Sequence, residues 1–147
     1  MGYDFFVAGR WRNQEAIHAV LDVLDAAGFS SYCFVRTDYP SVLEQFGSSE
    51  DPDALVRATE RSELDHPGVR AIFEEDMAAQ RSAKRFLVVM PAGLAAHIEA
   101  GVAYGMGKSC YAVGPVAKTE TLYRIFDRMF PGPEDLSQWL GTPDAAR

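Results

Sequence analysis

Short, blocky apolar runs recur along this chain, and between them the apolar residues switch to helical spacing. The clearest run is RFLVVM at Arg85–Met90, closed by Pro91-Ala92-Gly93. Tyr3–Ala8 is a second run, ended by Gly9, and Ser31–Arg36 and residues 109–113 supply two more. Runs this short and apolar on both faces suit strands buried in a parallel sheet. Between the first two, Ile17, Val20, Leu21 and Leu24 fall at helical spacing over 13–27, with Asn13 as N-cap and Gly28 as stop. Pro67-Gly68 opens a helix to about Ala83 with Val69, Ile72, Phe73 and Met77 on one face, and a small-residue helix covers about 95–106. After Pro115 the pattern predicts a helical turn near Thr121–Phe126, a short strand over 127–130 and a terminal helix from Pro133 to Leu140.

Strands that alternate with helices imply right-handed β-α-β units and a doubly wound parallel sheet, here a three-layer α/β sandwich with four or five strands. Such sheets bind ligands outside the carboxyl ends of their strands, where the strand order reverses. With the first strand and RFLVVM as central neighbours, the loops Gly9–Asn13 and Pro91–Leu94 face each other across that crevice.

The length, 147 residues, favours one domain over 1–147 with room for a core. Hydrophobic residues at 48% and charged residues at 24% exclude a disordered or disulfide-framed chain. The longest apolar run is far short of the roughly 18 residues of a membrane span. Asp4, Arg10 and Arg12 break the pattern of a secretion signal. Two cysteines without C-x-x-C spacing, Cys33 and Cys110, fit a reduced, cytoplasmic protein. A net charge of −7 argues against a sequence-independent nucleic-acid binder. The excess is local: residues 38–76 hold eleven acids and three arginines, a net −8, which reads as a solvated acidic flap or helix pair over 38–66.

Glu99 stands near the start of the helix after the central strand, with small neighbours Ala95, Ala96, Ala100, Gly101 and Ala103 that let a ligand or backbone come close. The positive end of a helix favours an ionised carboxylate, the form a nucleophile needs. Asp76 falls on the apolar stripe of its own helix, where a carboxylate is costly unless paired, hydrogen-bonded or used. Two carboxylates converging on one crevice suit glycosidic chemistry, one as nucleophile and one assisting the leaving group. Gly9, Arg10, Trp11 and Arg12, just past the first strand, form a loop able to stack on a ring and hold an anion or hydroxyls. Gly93 and His97 flank the same crevice from the facing loop.

Other patterns fail. Gly105-Met106-Gly107-Lys108-Ser109 imitates the end of a phosphate-binding loop, but Val102 stands where that motif needs glycine, and the segment joins a helix to a strand. His97 and Glu99 form an H-x-E pair without the further ligands that zinc requires, so no metal is expected. His18 and His66 read as surface residues, and neither a G-x-S-x-G elbow nor a dinucleotide fingerprint is present.

Taken in order, FFVAGRWRN, IFEEDMAAQRSAKRFLVVMPAG and HIEAGVAYGMGKSCYAVG resemble the nucleoside 2-deoxyribosyltransferase family, including the related nucleoside monophosphate N-glycosidases. The resemblance covers residues 3–114, and DRMFPGPEDLSQWL is similar to the family's closing segment. Its most specific part is Glu99, Gly101, Ala103, Gly107 and Lys108, in the pattern E-x-G-x-A-x-x-x-G-K. The acidic stretch 37–66 resembles nothing in the family.

The resemblance implies a flavodoxin-like fold, a cytoplasmic homo-oligomer, no cofactor, and a small-molecule nucleoside or nucleotide as substrate. It implies that Glu99 attacks C1′ of the sugar and holds a glycosyl-enzyme intermediate, which a second base or water resolves. Asp76 would position substrate or assist base departure, and the loop Gly9–Arg12 would contact sugar or phosphate. Phe6 stands where the family often has a tyrosine beside the glutamate, leaving Tyr3 or Tyr104 to supply the hydroxyl. Lys84 replaces a frequent aspartate, and Gly93-Leu94-Ala95-Ala96 lacks the serine that binds phosphate in the monophosphate hydrolases. Two alternatives stay open: a non-catalytic nucleotide-binding or signalling module of the same fold, and an N-glycosidase acting on an NAD-type substrate.

Overall fold

The computed structural model describes residues 2–37, 60–61 and 64–146. Five parallel strands form one sheet: β1 (Phe5–Ala8), β2 (Ser31–Cys33), β3 (Arg85–Val89), β4 (Ser109–Val113) and β5 (Phe126–Phe130). Their order is β2-β1-β3-β4-β5, the flavodoxin-like arrangement, with its reversal between β1 and β3. Among the described residues, four α-helices flank the sheet: α1 (Gln14–Ala26), α2 (Pro67–Ser82), α3 (Leu94–Gly105) and α4 (Pro133–Leu140). No helix among the described residues is long and apolar enough to cross a membrane.

Alternation along the strands divides the core in two. Phe5, Val7, Leu87, Val89, Tyr111 and Val113 point to one face, where α1 supplies Ile17, Val20, Leu21 and Leu24 and α4 supplies Leu136, Trp139 and Leu140. Phe6, Ala8, Phe86, Val88, Cys110 and Ala112 point to the other, where α2 and α3 supply Ala79, Ala83, Ala96, Ala100 and Ala103. In register, Tyr32, Phe6, Phe86 and Cys110 form one row across that second face. The Tyr32 and Phe6 rings stack at 5.4 Å and the Phe6 and Phe86 rings at 6.0 Å, making a flat aromatic floor.

The elements match the expected ones except in three details. The strand at Ser31 ends at Cys33, and Phe34–Arg36 winds into a 3-10 turn. Asn13 precedes α1 but makes no side-chain cap. The α2 stripe is rotated from its expected phase: Phe73 is 58% exposed, Val69, Ile72 and Met77 are half-buried, and Gly68, Ala79 and Gln80 are the residues turned inside. The 38–66 flap and its helical pieces lie outside the described residues, apart from 60–61 and 64–66.

Lys108 shows what the G-M-G-K-S segment does. Its ammonium donates to the carbonyls of Ala83 and Arg81, capping the end of α2. Lys84 pairs with Asp4 at 2.8 Å at the amino end of the sheet, away from the crevice. Gly114 is left-handed (φ 113°), and a Cβ there would meet the Met90 carbonyl oxygen at 2.5 Å.

Candidate functional site

The loops after β1 and β3 meet at the switch point. Asn13 spans them: its Nδ2 donates to the carbonyl oxygens of Met90 and Pro91, at 3.3 and 3.4 Å. A side chain expected to cap its own helix is therefore used to join the two lips. Arg10 and Arg12 are exposed and make no salt bridge among the described residues. Trp11 tilts onto Phe34 with ring centroids 5.8 Å apart, so part of its surface rests on the turn after β2. Gly9 has a packing reason of its own, since a Cβ would lie 2.7 Å from the Ile17 Cδ1.

The two carboxylates are on neighbouring helices, close enough for the charge of Asp76 to act on Glu99. Asp76 is in the third turn of α2, and its Oδ1 accepts a 2.8 Å hydrogen bond from the Tyr32 hydroxyl. One helical turn further along, Gln80 is fully buried and its Nε2 donates to the Glu99 carbonyl oxygen at 2.7 Å. That bond ties α2 to α3 at the level of the carboxylates. Burial, and then the charge of Asp76, push the Glu99 carboxyl up to about 8. This corrects the expectation of a carboxylate ionised by its helix terminus. Glu99 is the sixth residue of α3, beyond the first turn where the dipole acts, and desolvation prevails.

Cys33, next to Tyr32, is buried and its thiol rises to about 12, chiefly by desolvation, with Glu99 and Asp76 adding to the rise. It is an inert thiol within electrostatic reach of both acids.

His97 projects from the first turn of α3. Its Nδ1 lies 2.7 Å from the Gly93 carbonyl oxygen, which can only accept, so that nitrogen carries the hydrogen. The Nε2 lies within hydrogen-bond distance of the Tyr123 hydroxyl, at 2.9 Å, and the two rings stack at 5.7 Å. His97 is thus tied to the backbone loop and to the 3-10 turn Thr121–Ile125 before β5. An open groove of about 870 Å³ runs along that turn and β5, lined by Thr119, Glu120, Tyr123, Arg124, Asp127 and Met129 among others. It lies at the β5 edge, whereas Tyr32 stands at the β2 edge. Among the described residues no three His, Cys, Asp or Glu side chains cluster as a metal site.

The fold brings Asp76 within electrostatic reach of Glu99 on adjoining helices, with Gly93 and His97 at the start of the same α3 and Gly9–Arg12 on the opposite lip. Two residues that hold the carboxylates were not anticipated. Neither tyrosine expected to bring a hydroxyl to Glu99 is seen doing so: Tyr3 lends a ring, 5.5 Å from the ring of Tyr32, and Tyr104 is 57% exposed, while Tyr32 brings its hydroxyl to Asp76 instead. Gln80 hid in a polar stretch; its only sequence signal is a place one turn after Asp76.

No protein-family model matches this chain, and no curated protein sequence matches it. Among solved structures it is similar to a 2-deoxyribosyltransferase from Bacillus psychrosaccharolyticus, with a TM-score of 0.64 and 14% sequence identity. The match covers 97% of this chain and 93% of the other.

Proposed function

We propose that this protein cleaves or transfers the N-glycosidic bond of a nucleoside or nucleotide, with Glu99 attacking C1′ of the sugar and Asp76 handling the proton of the departing base. The observation that carries the reading is a pair of carboxylates in unlike surroundings, Asp76 under a tyrosine hydroxyl and Glu99 desolvated beside it. A carboxyl pushed up to about 8, as at Glu99, carries its proton at neutral pH. In the proposed sequence that proton moves from Glu99 to Asp76 when substrate binds. The Glu99 carboxylate then bonds to C1′ while the C1′–N bond breaks, and Asp76 gives its proton to the leaving nitrogen. Water or a second base next attacks C1′, the Glu99–C1′ bond breaks, and the incoming group's proton returns to the pair. Fold likeness to a 2-deoxyribosyltransferase supports the nucleoside class. Gly9, Arg10, Trp11, Arg12, Gly93 and His97 are the proposed substrate contacts.

The test is incubation with ribo- and deoxynucleosides, their 5′-monophosphates and NAD, with and without a free acceptor base, and chromatography of the bases. Base release that disappears in Glu99→Ala supports the reading, and dependence on acceptor makes the reaction a transfer. No release from any substrate by folded protein would leave the fold as a nucleotide-binding module.

The raised Glu99 also favours a second reading with the roles exchanged, in which Glu99 protonates the base and Asp76 faces C1′. A 2-fluoro-substituted nucleoside that stalls the second step separates the two, because peptide mass spectrometry then finds the sugar on Glu99 or on Asp76.

A further inference from the structure

We propose that Tyr123 is a positioning residue for the crevice: with His97 it forms a strut that holds Gly93 and the first turn of α3 against the β5 side of the sheet. The inference deepens the proposed reaction, in which Gly93 and His97 are substrate contacts, and its first test needs no turnover.

The strut is mounted on β5. Phe126, the first residue of that strand, is 8% exposed, and the Tyr123 ring meets it edge to face with centroids 5.6 Å apart. The Tyr123 main chain is tied on both sides: its N–H donates to the Glu120 carbonyl oxygen, and its own carbonyl accepts from the Phe126 N–H. The ring so fixed lies nearly parallel to the His97 imidazole, at 20°, with its hydroxyl 2.9 Å from Nε2. A neutral imidazole accepts at that nitrogen and a charged one donates, and a hydroxyl serves either way.

The load is Gly93. Its carbonyl oxygen accepts from the His97 Nδ1 at 2.7 Å and from the His97 main-chain N–H at 3.3 Å. A Cβ at Gly93 would meet nothing within 4 Å, so close packing does not hold the residue, and these two bonds do. Gly93 and Tyr123 are the hydrogen-bond partners of the His97 ring among the described residues. Asn13 secures the same loop upstream, at Met90 and Pro91, and His97 secures it downstream. His97 and Glu99, two residues apart, do not share a face of α3, so the strut and the carboxylates can be disturbed separately.

The first test is amide hydrogen exchange by NMR on the full-length protein, read at residue 97, whose N–H ends on the same Gly93 oxygen. Tyr123→Phe keeps the ring contacts and removes one oxygen; it should speed that exchange about tenfold and leave the Leu87 amide in β3 unchanged. His97→Phe, which keeps a ring but loses both nitrogens, should speed it at least as much, and the double variant no more than His97→Phe alone. His97→Leu replaces it in the cycle if it does not fold. Unchanged exchange in folded Tyr123→Phe overturns the proposal, and so do additive effects, which would mean that the hydroxyl acts without His97. With a substrate, Tyr123→Phe should raise KM about tenfold and leave kcat within about twofold, because contacts at the lip bind ground and transition states alike. A fall in kcat at unchanged KM overturns the positioning role. A chain that releases no base overturns the proposed reaction, and the exchange cycle then decides the strut by itself.

Discussion

On one side of the sheet, α1 and α4 pack Ile17, Leu21, Leu24, Leu136 and Trp139 against Phe5, Val7 and Leu87, and the layer is apolar apart from the Arg85 guanidinium over the Phe5 ring at its edge. On the other, α2 and α3 lay alanines on an aromatic floor and bring in Gln80, Asp76 and Glu99. The first layer gains stability from large buried side chains. The second trades bulk for close approach: small residues let two helices sit near the floor and near each other, so that polar groups meet inside a desolvated space. The difference teaches where to look for chemistry in a sheet of this kind. It lies on the face whose packing alone would not require a tyrosine hydroxyl, an amide and two acids.

If that division is right, substitutions on the two faces should fail in different ways. The largest effect should come from Glu99→Gln, which is expected to lower base release by about a thousandfold or more in the chromatographic assay while leaving the protein folded. A variant that retains turnover would erase the functional half of the contrast. On the opposite face Leu21→Ala empties a fully buried position and should cost about 3 kcal/mol in urea unfolding, with the base-release rate of the folded fraction unchanged. Loss of turnover there, at full folding, would show that the faces are not independent.

A third, smaller effect concerns pH. Glu99 is pushed up to about 8 in the folded protein, against 4.5 for an ordinary glutamate, so the folded state binds the extra proton between those limits. Its contribution therefore falls as pH rises from 4.5 toward 8, and above that window the buried charge is a burden. Unfolding free energies of Glu99→Gln should gain on the wild type steadily across this range, and parallel curves would remove burial as the cause.

Gln80→Leu replaces a side chain whose Oε1 has no hydrogen-bond partner among the described residues and whose Nε2 holds Glu99. Stability should change by less than about 1 kcal/mol, because the unmet oxygen leaves together with the bond. Base release should fall by about tenfold as the anchor is lost. The smallest effect is expected from Arg10→Ala with Arg12→Ala: these exposed arginines should alter melting within about 0.5 kcal/mol and act only on substrate affinity.

The apolar face was the more legible one in the sequence. Blocky runs such as RFLVVM and the regular spacing of Ile17, Val20, Leu21 and Leu24 report large buried side chains, which is what periodicity measures. The terminal helix was readable to its bounds because Pro133 opens it and Gly141 follows it. On the second face periodicity misleads, since Ala79 and Gln80 are inside while Phe73 is outside. Tyr32 was hidden for a related reason. In a strand covered on both sides every position looks apolar, and a tyrosine reads as filler. Only the register that sets it beside Phe6 reveals that its hydroxyl faces the helices. Asp76 and Glu99 stood out as acids among apolar or small neighbours. The proton relation between them depends on distances that no spacing along the chain conveys.

The Asn13 amide, which reaches from the end of β1 to the Met90 and Pro91 carbonyls, makes the two lips of the crevice one mechanical unit. Neither loop can swing away without the other unless both contacts break together. Backbone amides of residues 10–13 and 92–94 should then exchange with deuterated solvent in a single cooperative opening rather than as two separate loops. Entry to the crevice would be gated by one event, with a rate set by a single side chain.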